Sequence, residues 1–367
     1  QGILPHHALW RQFFAGLRYV VVDEMHTYRG VFGSHVANVI RRLKRVAAFY
    51  QAYPQFILTS ATIGNPTELA EKLIESPVAL IDQDGSPHGK RHFLVYNPPL
   101  VNEQLGLRAS SLQTGIHFTR KLLSSGIQTL VFARSRRSVE MILTYLYDAI
   151  PRGMRAQIRG YRSGYLKGDR REIEAGFKEG SIKAVVATSA LELGIDIGSL
   201  ESVILVGYPG SIATTRQRAG RAGRRQQASL AMFIASPEAM DQYLANHPEY
   251  LTDKSPEDTL MDPNNYAILM QHLQCAAFEL PFLENDHFGS LPPELLNSFL
   301  KILVQSGVLH LQNGRYFWIA DQFAAGSVSL RSSTPNVVTL RVAEAASTRV
   351  IGEIDASSAK WLVHPEA

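Results

Sequence analysis

The chain has 367 residues, of which 45% are hydrophobic and 19% charged, and this composition predicts a globular protein of two or three domains. Its formal net charge of +4 is mildly basic, which permits a nucleic-acid partner without requiring one. The single cysteine, Cys275, excludes an internal disulfide and a cysteine-cluster zinc site, and it fits a reducing, cytoplasmic location. No apolar run is long enough to cross a membrane, so we expect no membrane association.

Strand patterns alternate with helical patterns through the first two thirds of the chain. LRYVVV and QFILTSAT predict buried strands of a first sheet, and FLVYN, QTLVFA, AVVAT, SVILVG and LAMFIA predict those of a second. The helix after the first strand has Val36, Ile40 and Leu43 on one face, whereas Arg41 and Arg42 fall elsewhere. The sequence therefore predicts an α/β fold with two parallel sheets.

Polar residues follow the first two strands. Asp23-Glu24-Met25-His26 comes directly after the first, where α/β folds place their ligands, and paired carboxylates there suit phosphoryl transfer. Taken alone the motif is weak, since an acidic pair at such a point also caps helices. Ser60-Ala61-Thr62 follows the second strand, and by itself it is equally typical of a turn.

A basic motif, QRAGRAGRR at residues 217–225, lies downstream of ATSALELGIDIG. Its glycines let the backbone approach an anion, and its arginines can present guanidinium groups to phosphate oxygens. Taken alone, this run also fits a solvated basic helix or a nucleic-acid patch.

The order of the motifs decides between these alternatives. DEMH and SAT each follow a strand, VFARSRR follows a strand of the second sheet, and ATSALELGIDIG and QRAGRAGRR complete the series. This series resembles motifs II to VI of superfamily 2 helicases of the DEAD/DEAH-box type, over roughly residues 17–235. The resemblance implies two RecA-like domains and ATP-dependent movement on nucleic acid.

The resemblance assigns roles around ATP. Asp23 would coordinate Mg²⁺ through water, and Glu24 would be the general base. His26 would connect the nucleotide site to the motif after the second strand, here named the coupling motif, whose residues are Ser60, Ala61 and Thr62. The residues that would face the nucleotide or approach its phosphates are Gly194, Asp196, Gln217, Arg221 and Arg224. Among these, Arg224 is expected to be the arginine finger that stabilises charge on the γ-phosphate.

The resemblance also assigns a nucleic-acid interface and a subgroup. The residues expected along the nucleic-acid backbone are Phe132, Ser135, Arg136 and Thr188. Sequences flanking the motifs, such as HTYRGVFGSHVANVIRRLKRV, resemble helicases of the mitomycin repair factor A type. That subgroup implies 3′-to-5′ movement on DNA with a single-stranded 3′ tail, a monomer and a role in repair. It also implies a cysteine-rich zinc domain, whose cluster of cysteines this chain lacks.

The resemblance divides the chain into five parts. These are the C-terminal part of RecA-like domain 1 (1–84), a linker (85–92), RecA-like domain 2 (93–245), a helical, winged-helix-like module (246–325) and a partial β-domain (326–367). Asn313-Gly314 predicts the hairpin of the winged helix. In the resembling helicases this module packs on the second motor domain and can touch DNA, although a purely structural packing role fits equally well.

One expected motif is missing from these residues. A helicase of this type needs a P-loop, G-x-x-x-x-G-K-[ST], to hold the phosphates. The segment Gly85–Lys90 comes near this pattern, but its spacing is one residue short and a strand pattern follows it. We therefore expect a fragment of a longer helicase, inactive alone. The alternative is a non-catalytic nucleic-acid-binding module, or a naturally shortened protein that does not hydrolyse ATP.

Overall fold

The computed structural model describes residues 2–83, 85, 89–162, 165–188, 191, 200–223, 228–331, 337–344 and 347–355. The chain divides into two compact units: unit 1 comprises residues 1–81 and 258–367, and unit 2 comprises residues 82–257. Among the helices in the described ranges, none is long and apolar enough to cross a membrane.

The helices are numbered in chain order: α1 Arg11–Ala15, α2 Gly30–Phe49, α3 Pro66–Ile74, α4 Ser111–Ser124, α5 Arg136–Ala149, α6 Lys167–Glu179, α7 Ile212–Ala219, α8 Ala239–Asn246, α9 Glu249–Thr252, α10 Tyr266–Glu279 and α11 Pro293–Gln305. The strands are β1 Tyr19–Val22, β2 Gln55–Leu58, β3 Arg91–Tyr96, β4 Leu100–Asn102, β5 Leu107–Arg108, β6 Thr129–Ala133, β7 Ile158–Tyr161, β8 Ala184–Ala187, β9 Ser202–Val206, β10 Ser229–Ile234, β11 Phe282–Leu283, β12 Leu309–Gln312, β13 Arg315–Trp318, β14 Val337–Glu344 and β15 Ser347–Asp355.

Unit 2 is built on a six-stranded sheet in the order β3-β10-β9-β6-β8-β7, and every pairing in it is parallel. All five residues of the central strand β6 are buried, because helices cover both faces of the sheet. Leu130 and Phe132 pack on the face that α6 covers, and Val131 and Ala133 pack on the face that α4 and α5 cover. The α/β class predicted from the apolar strand runs is confirmed.

Unit 1 contains a two-stranded parallel sheet, in which β1 pairs with β2 from Tyr19↔Gln55 to Val22↔Leu58. Helices α2 and α3 pack on one face of it, around Val22, Ile40 and Leu69. The parallel register places the carboxyl ends of both strands side by side. The polar motifs that follow them therefore meet.

The C-terminal part of unit 1 contains the winged-helix-like module. Helix α11 leads into the hairpin β12–β13, and β11 adds a third antiparallel strand. Asn313 and Gly314 turn the hairpin with φ of 51° and 71°, which are the positive values that a two-residue turn of this kind requires. Strands β14 and β15 form a separate antiparallel pair.

The described part of this module belongs to unit 1. Residues 258–331 share that unit with the first strands, and α10 lies against α2. Packing of the module on the second motor domain stays a prediction. Within unit 1, the α2 arginines outside its apolar face contribute to the contact with α10. Arg42 is buried in an ion pair with Glu279 of α10, and Arg45 pairs with Asp286.

Cys275 on α10 is 1% exposed, and burial raises the pKa of its thiol to about 11. This residue is the small buried apolar side chain that its helical context predicts.

Candidate nucleotide site and nucleic-acid interface

The acidic motif after β1 is held in a defined conformation. Glu24 has a left-handed backbone with φ of 51°, an unusual value for a residue other than glycine. The backbone N–H of Glu24 donates to Asp23 Oδ1 at 2.9 Å, and the Thr59 hydroxyl donates to the same oxygen. Such a conformation persists only where neighbouring bonds impose it, as they do here at the edge of the sheet.

Asp23 meets the chemical requirement for a water-mediated Mg²⁺ ligand. It is exposed, and both of the hydrogen bonds that it accepts from described residues go to Oδ1, so Oδ2 remains available to a hydrated cation. Within the described ranges, no group of three His, Cys, Asp or Glu side chains is arranged to bind a metal directly.

His26 connects the acidic motif to the segment after β2. The N–H of Ala61 donates to His26 Nδ1 at 3.1 Å, so this nitrogen carries no proton. Burial lowers the pKa of His26, and the positive charge of Arg29 adds to this against the opposing carboxylates of Glu24 and Asp23. Glu24 Oε2 lies 3.4 Å from the same nitrogen, but neither atom carries a proton when the ring is neutral, so no hydrogen bond joins them.

The proton of the neutral His26 ring lies on Nε2. That nitrogen is buried and has no hydrogen-bond partner among the residues that the structure describes. A buried donor without a partner is costly, so this N–H is available to a group that approaches it.

The predicted coupling motif lies beside this histidine. Ala61 supplies the backbone contact to His26, and the Ser60 hydroxyl donates to the Ala61 carbonyl at 2.7 Å. Thr62 is exposed. Thr59 was missed from sequence, although the signal was present: parallel pairing of Val22 with Leu58 places the next residues, Asp23 and Thr59, side by side.

The four residues predicted along nucleic acid lie at the carboxyl ends of β6 and β8 in unit 2. Ser135 caps α5 by accepting the Ser138 N–H at 3.1 Å, and Arg136 begins that helix. Thr188 directly follows β8, whose Ala187 pairs with Phe132. Phe132 is 1% exposed, so it is a core residue, and any part it has in binding would act through the position of its strand.

Residues 217–223 of the basic motif form the end of α7 and the turn after it. Gln217 is half-buried, and Arg221 is 5% exposed. The guanidinium of Arg218, which sequence reasoning did not single out, lies 4.9 Å from the centre of the Phe132 ring. Gly223 has φ of 84° and donates its N–H to Leu200 at 3.0 Å, which ties the turn to the sheet. The predicted residues Gly194, Asp196 and Arg224 lie outside the described residues.

Three family models match the chain. The DEAD/DEAH box helicase model covers residues 1–69, the helicase conserved C-terminal domain covers residues 114–226, and the winged helix domain of the ATP-dependent helicase HRQ1 covers residues 261–333. These matches contain the acidic motif, the basic motif and the β12–β13 hairpin respectively.

Known relatives agree with the models. YprA, an uncharacterized ATP-dependent helicase of Bacillus subtilis (strain 168), is 49% identical over 368 residues, which span 100% of this chain and 49% of YprA. The ATP-dependent helicase HRQ1 of Saccharomyces cerevisiae is 41% identical over 76% of this chain and 27% of its own length. The crystal structure of the DUF1998 helicase MrfA bound to DNA matches with a TM-score of 0.88 and 48% identity, covering 98% of this chain and 48% of MrfA.

The fold is RecA-like, and the chain carries the domains of DEAD/DEAH-box helicases together with a winged helix domain. Within that class, the homologues of the chain are DExH helicases of the Hrq1 and YprA type. The chain spans about half or less of the length of these two curated relatives.

Proposed function

We propose that the protein containing this chain is an ATP-dependent DNA helicase, to which the chain contributes the residues that activate water and sense phosphate. The observation that carries the proposal is the acidic cluster of unit 1. Asp23 is braced by the Thr59 hydroxyl and the Glu24 amide, beside a neutral His26 that is bonded to Ala61. This arrangement supports a division of roles in which one carboxylate would hold a cation and the second would be available as a base.

The division of roles follows from the surroundings of each group. Asp23 would hold Mg²⁺ through water, and the ion would neutralise charge on the phosphates of ATP. Glu24 is half-buried, and its backbone turn presents its side chain at the edge of the sheet, so it would accept the proton of the attacking water. A relative, MrfA, has been crystallised with DNA and AMPPNP, which supports the use of ATP and DNA.

The coupling role belongs to His26 and the motif after β2. Because His26 is neutral, its Nε2 carries the ring proton, and a change at the nucleotide that engages this N–H would affect Ala61 on the other side of the ring. Ser60 and Thr62 flank Ala61 and would pass that change to nucleic-acid binding.

The basic motif and the interface of unit 2 complete the proposal. Gln217, Arg221 and Arg224 would approach the phosphates, and Gly194 and Asp196 would face the nucleotide. Ser135, Arg136 and Thr188 would lie along the nucleic-acid backbone. The five-part domain division, 3′-to-5′ polarity, binding of a single-stranded 3′ tail, a monomeric state and a cytoplasmic repair role are parts of the same proposal, supported by the resemblance alone.

The test uses the longer protein with Glu24→Gln. We expect ATP binding to remain while hydrolysis falls by about 10²–10⁴-fold, because the amide cannot take the proton from water. Binding of a fluorescent ATP analogue and single-turnover hydrolysis measure the two steps separately.

The matched control is Glu68→Gln, which changes an exposed carboxylate of the same unit that pairs with Lys72. It should hydrolyse ATP at the unaltered rate. Near-normal hydrolysis by Glu24→Gln would show that another group is the base. Absence of DNA-stimulated hydrolysis in the unaltered longer protein would favour the non-catalytic binding module.

A further inference from the structure

The segment Leu251–Pro263, here named the strap, runs from α9 towards α10 and contains the junction between the two units at Glu257 and Asp258. None of the helicase motifs includes it. Its hydrogen bonds nevertheless go to the elements that carry those motifs, in each unit separately.

In unit 2 the strap is bound to α7. The carboxylate of Glu257 accepts the N–H groups of Ile212 at 2.7 Å and Ala213 at 3.1 Å. The first amides of a helix have no partner within it, so a carboxylate there satisfies them and complements the helix dipole. Arg216 returns the contact by donating to strap carbonyl oxygens, namely those of Leu251, Thr252 and Lys254 at 3.0, 2.8 and 2.6 Å. The strap therefore holds the helix that carries Gln217 and leads to Arg221.

In unit 1 the strap is bound beside the acidic and coupling motifs. Asn65 exchanges two hydrogen bonds with the backbone of Thr259, at 2.8 Å and 3.2 Å. The Leu260 carbonyl accepts the N–H of Gly30 at 2.7 Å. Met261 is 8% exposed and lies in the same apolar core as Met25 and Ile63, which belong to the acidic motif and follow the coupling motif respectively.

Only Asp258 lies between these two anchors. Consecutive Cα atoms are about 3.8 Å apart, so a chain of three residues has almost no slack. Asp258 is exposed, and no hydrogen bond from the described residues goes to its backbone. Thr259 on one side is buried, and Glu257 on the other is bound to α7. A displacement of α7 must therefore turn the chain at Asp258 or pull on Thr259.

We propose that the strap mechanically couples α7 to the loops after β1 and β2, with Asp258 as its hinge and Glu257 and Asn65 as positioning residues. The functional consequence rests on the proposed function: a movement of the phosphate-sensing helix would be passed to the loops that carry Glu24 and Ala61. The coupling itself is a property of the chain and can be tested without ATP.

The first test is amide hydrogen exchange on the purified chain with Glu257→Ala. We expect exchange at Ile212 and Ala213 to quicken by about tenfold, because both amides lose their acceptor. If the strap couples the anchors, exchange at Thr259 and Gly30 should also quicken, by about threefold. Glu257→Gln, which keeps one acceptor oxygen, should restore part of the protection.

Glu249→Ala is the matched control, since it removes an exposed carboxylate of the adjoining helix whose ion pair is with His247. This variant should leave the exchange rates unchanged at both anchors of the strap, in α7 and in unit 1. A second background inserts two glycines after Asp258, which preserves both anchors and adds slack. In that background, Glu257→Ala should quicken amide exchange at Ile212 and Ala213 but not at Thr259 or Gly30.

Three results would overturn the proposal. One is an unchanged rate of amide exchange at Ile212 and Ala213 in Glu257→Ala. Another is faster exchange at these two amides but not at Thr259 and Gly30, in the chain without the glycine insertion. The third is an effect that still reaches Gly30 in the insertion background, since it would then travel by another route.

The longer protein supplies a functional readout. The glycine insertion should lower DNA-stimulated kcat by about tenfold while KM for ATP stays within about twofold, because the slack affects coupling rather than nucleotide binding. An unchanged kcat would overturn the functional part. If the proposed function is wrong, the unaltered longer protein will not hydrolyse ATP. The exchange experiment would still test whether the strap couples its two anchors.

Discussion

The buried ion pair between Arg42 and Glu279 should be essential for the stability of unit 1. Both side chains are 1% exposed, and Arg42 Nε lies 3.1 Å from each carboxylate oxygen. Burial alone disfavours the guanidinium charge, but the hydrogen bonds and charge of Glu279 outweigh it and raise the Arg42 pKa. Glu279→Ala would leave that charge buried, with His272 Nδ1 still 3.3 Å from Arg42 Nη1.

Removing one partner of a buried pair costs about 3–5 kcal/mol, a large part of the total stability of a typical domain. With a denaturant slope of about 2 kcal/mol per molar urea, the midpoint should fall by about 2 M. Tryptophan fluorescence reports on unit 1, because Trp10 and Trp318 belong to it and the sequence of unit 2, residues 82–257, contains no tryptophan.

Two further variants make the prediction sharp. Glu68→Ala, which breaks an exposed pair with Lys72, should leave the midpoint unchanged. The double variant Arg42→Met/Glu279→Leu should recover most of the lost stability, since apolar side chains of similar volume replace buried pairs at little cost. A Glu279→Ala midpoint equal to that of the Glu68→Ala control would refute the reasoning.

Two other predictions concern pH and salt. Burial, Arg42 and His35 hold the pKa of His272 well below its ordinary value. Below pH about 6.5 the unfolded chain therefore binds the proton first, and the free energy of unfolding should fall by up to about 1.4 kcal/mol per pH unit. Urea midpoints across this range should show a shallower slope in His272→Gln, and an equal slope would contradict the assignment. Binding to single-stranded DNA, measured by fluorescence anisotropy, should weaken as the salt concentration rises. Arg136→Ala should make the slope of the logarithm of the binding constant against that of the salt concentration shallower by about one phosphate contact. A flat salt dependence would argue against the interface.

Much of the fold could be predicted because its signals are local. Continuous apolar runs such as Thr129–Ala133 indicate strands covered on both faces, and Asn313-Gly314 specifies a hairpin by its backbone preferences. The acidic and coupling motifs follow neighbouring parallel strands, so their meeting was also predictable. Even the Thr59 contact with Asp23 was available from the strand register.

The packing of unit 1 could not be predicted in this way. Helical spacing separated Arg41 and Arg42 from the apolar face of α2. It does not show which carboxylates, far along the chain, pair with these arginines. Arg42 pairs with Glu279, which is 237 residues away in the chain, and Arg41 pairs with Glu75, the residue that follows α3. These ion pairs bury a face of α2 that its residue types indicate to be polar. They also contribute to the packing of the winged-helix-like module within unit 1.

The sequence by itself determined the class of protein, through motifs whose residue types and order the chemistry of ATP and nucleic acid requires. The tertiary structure alone decided that Phe132 is a core residue, that His26 bonds to Ala61, and that the strap binds α7 through Glu257 and the β2 loop through Asn65. The physical reason is range. Periodicity and turn chemistry depend on neighbours in the chain, whereas burial, ion pairing and hydrogen bonding depend on groups that only folding brings together.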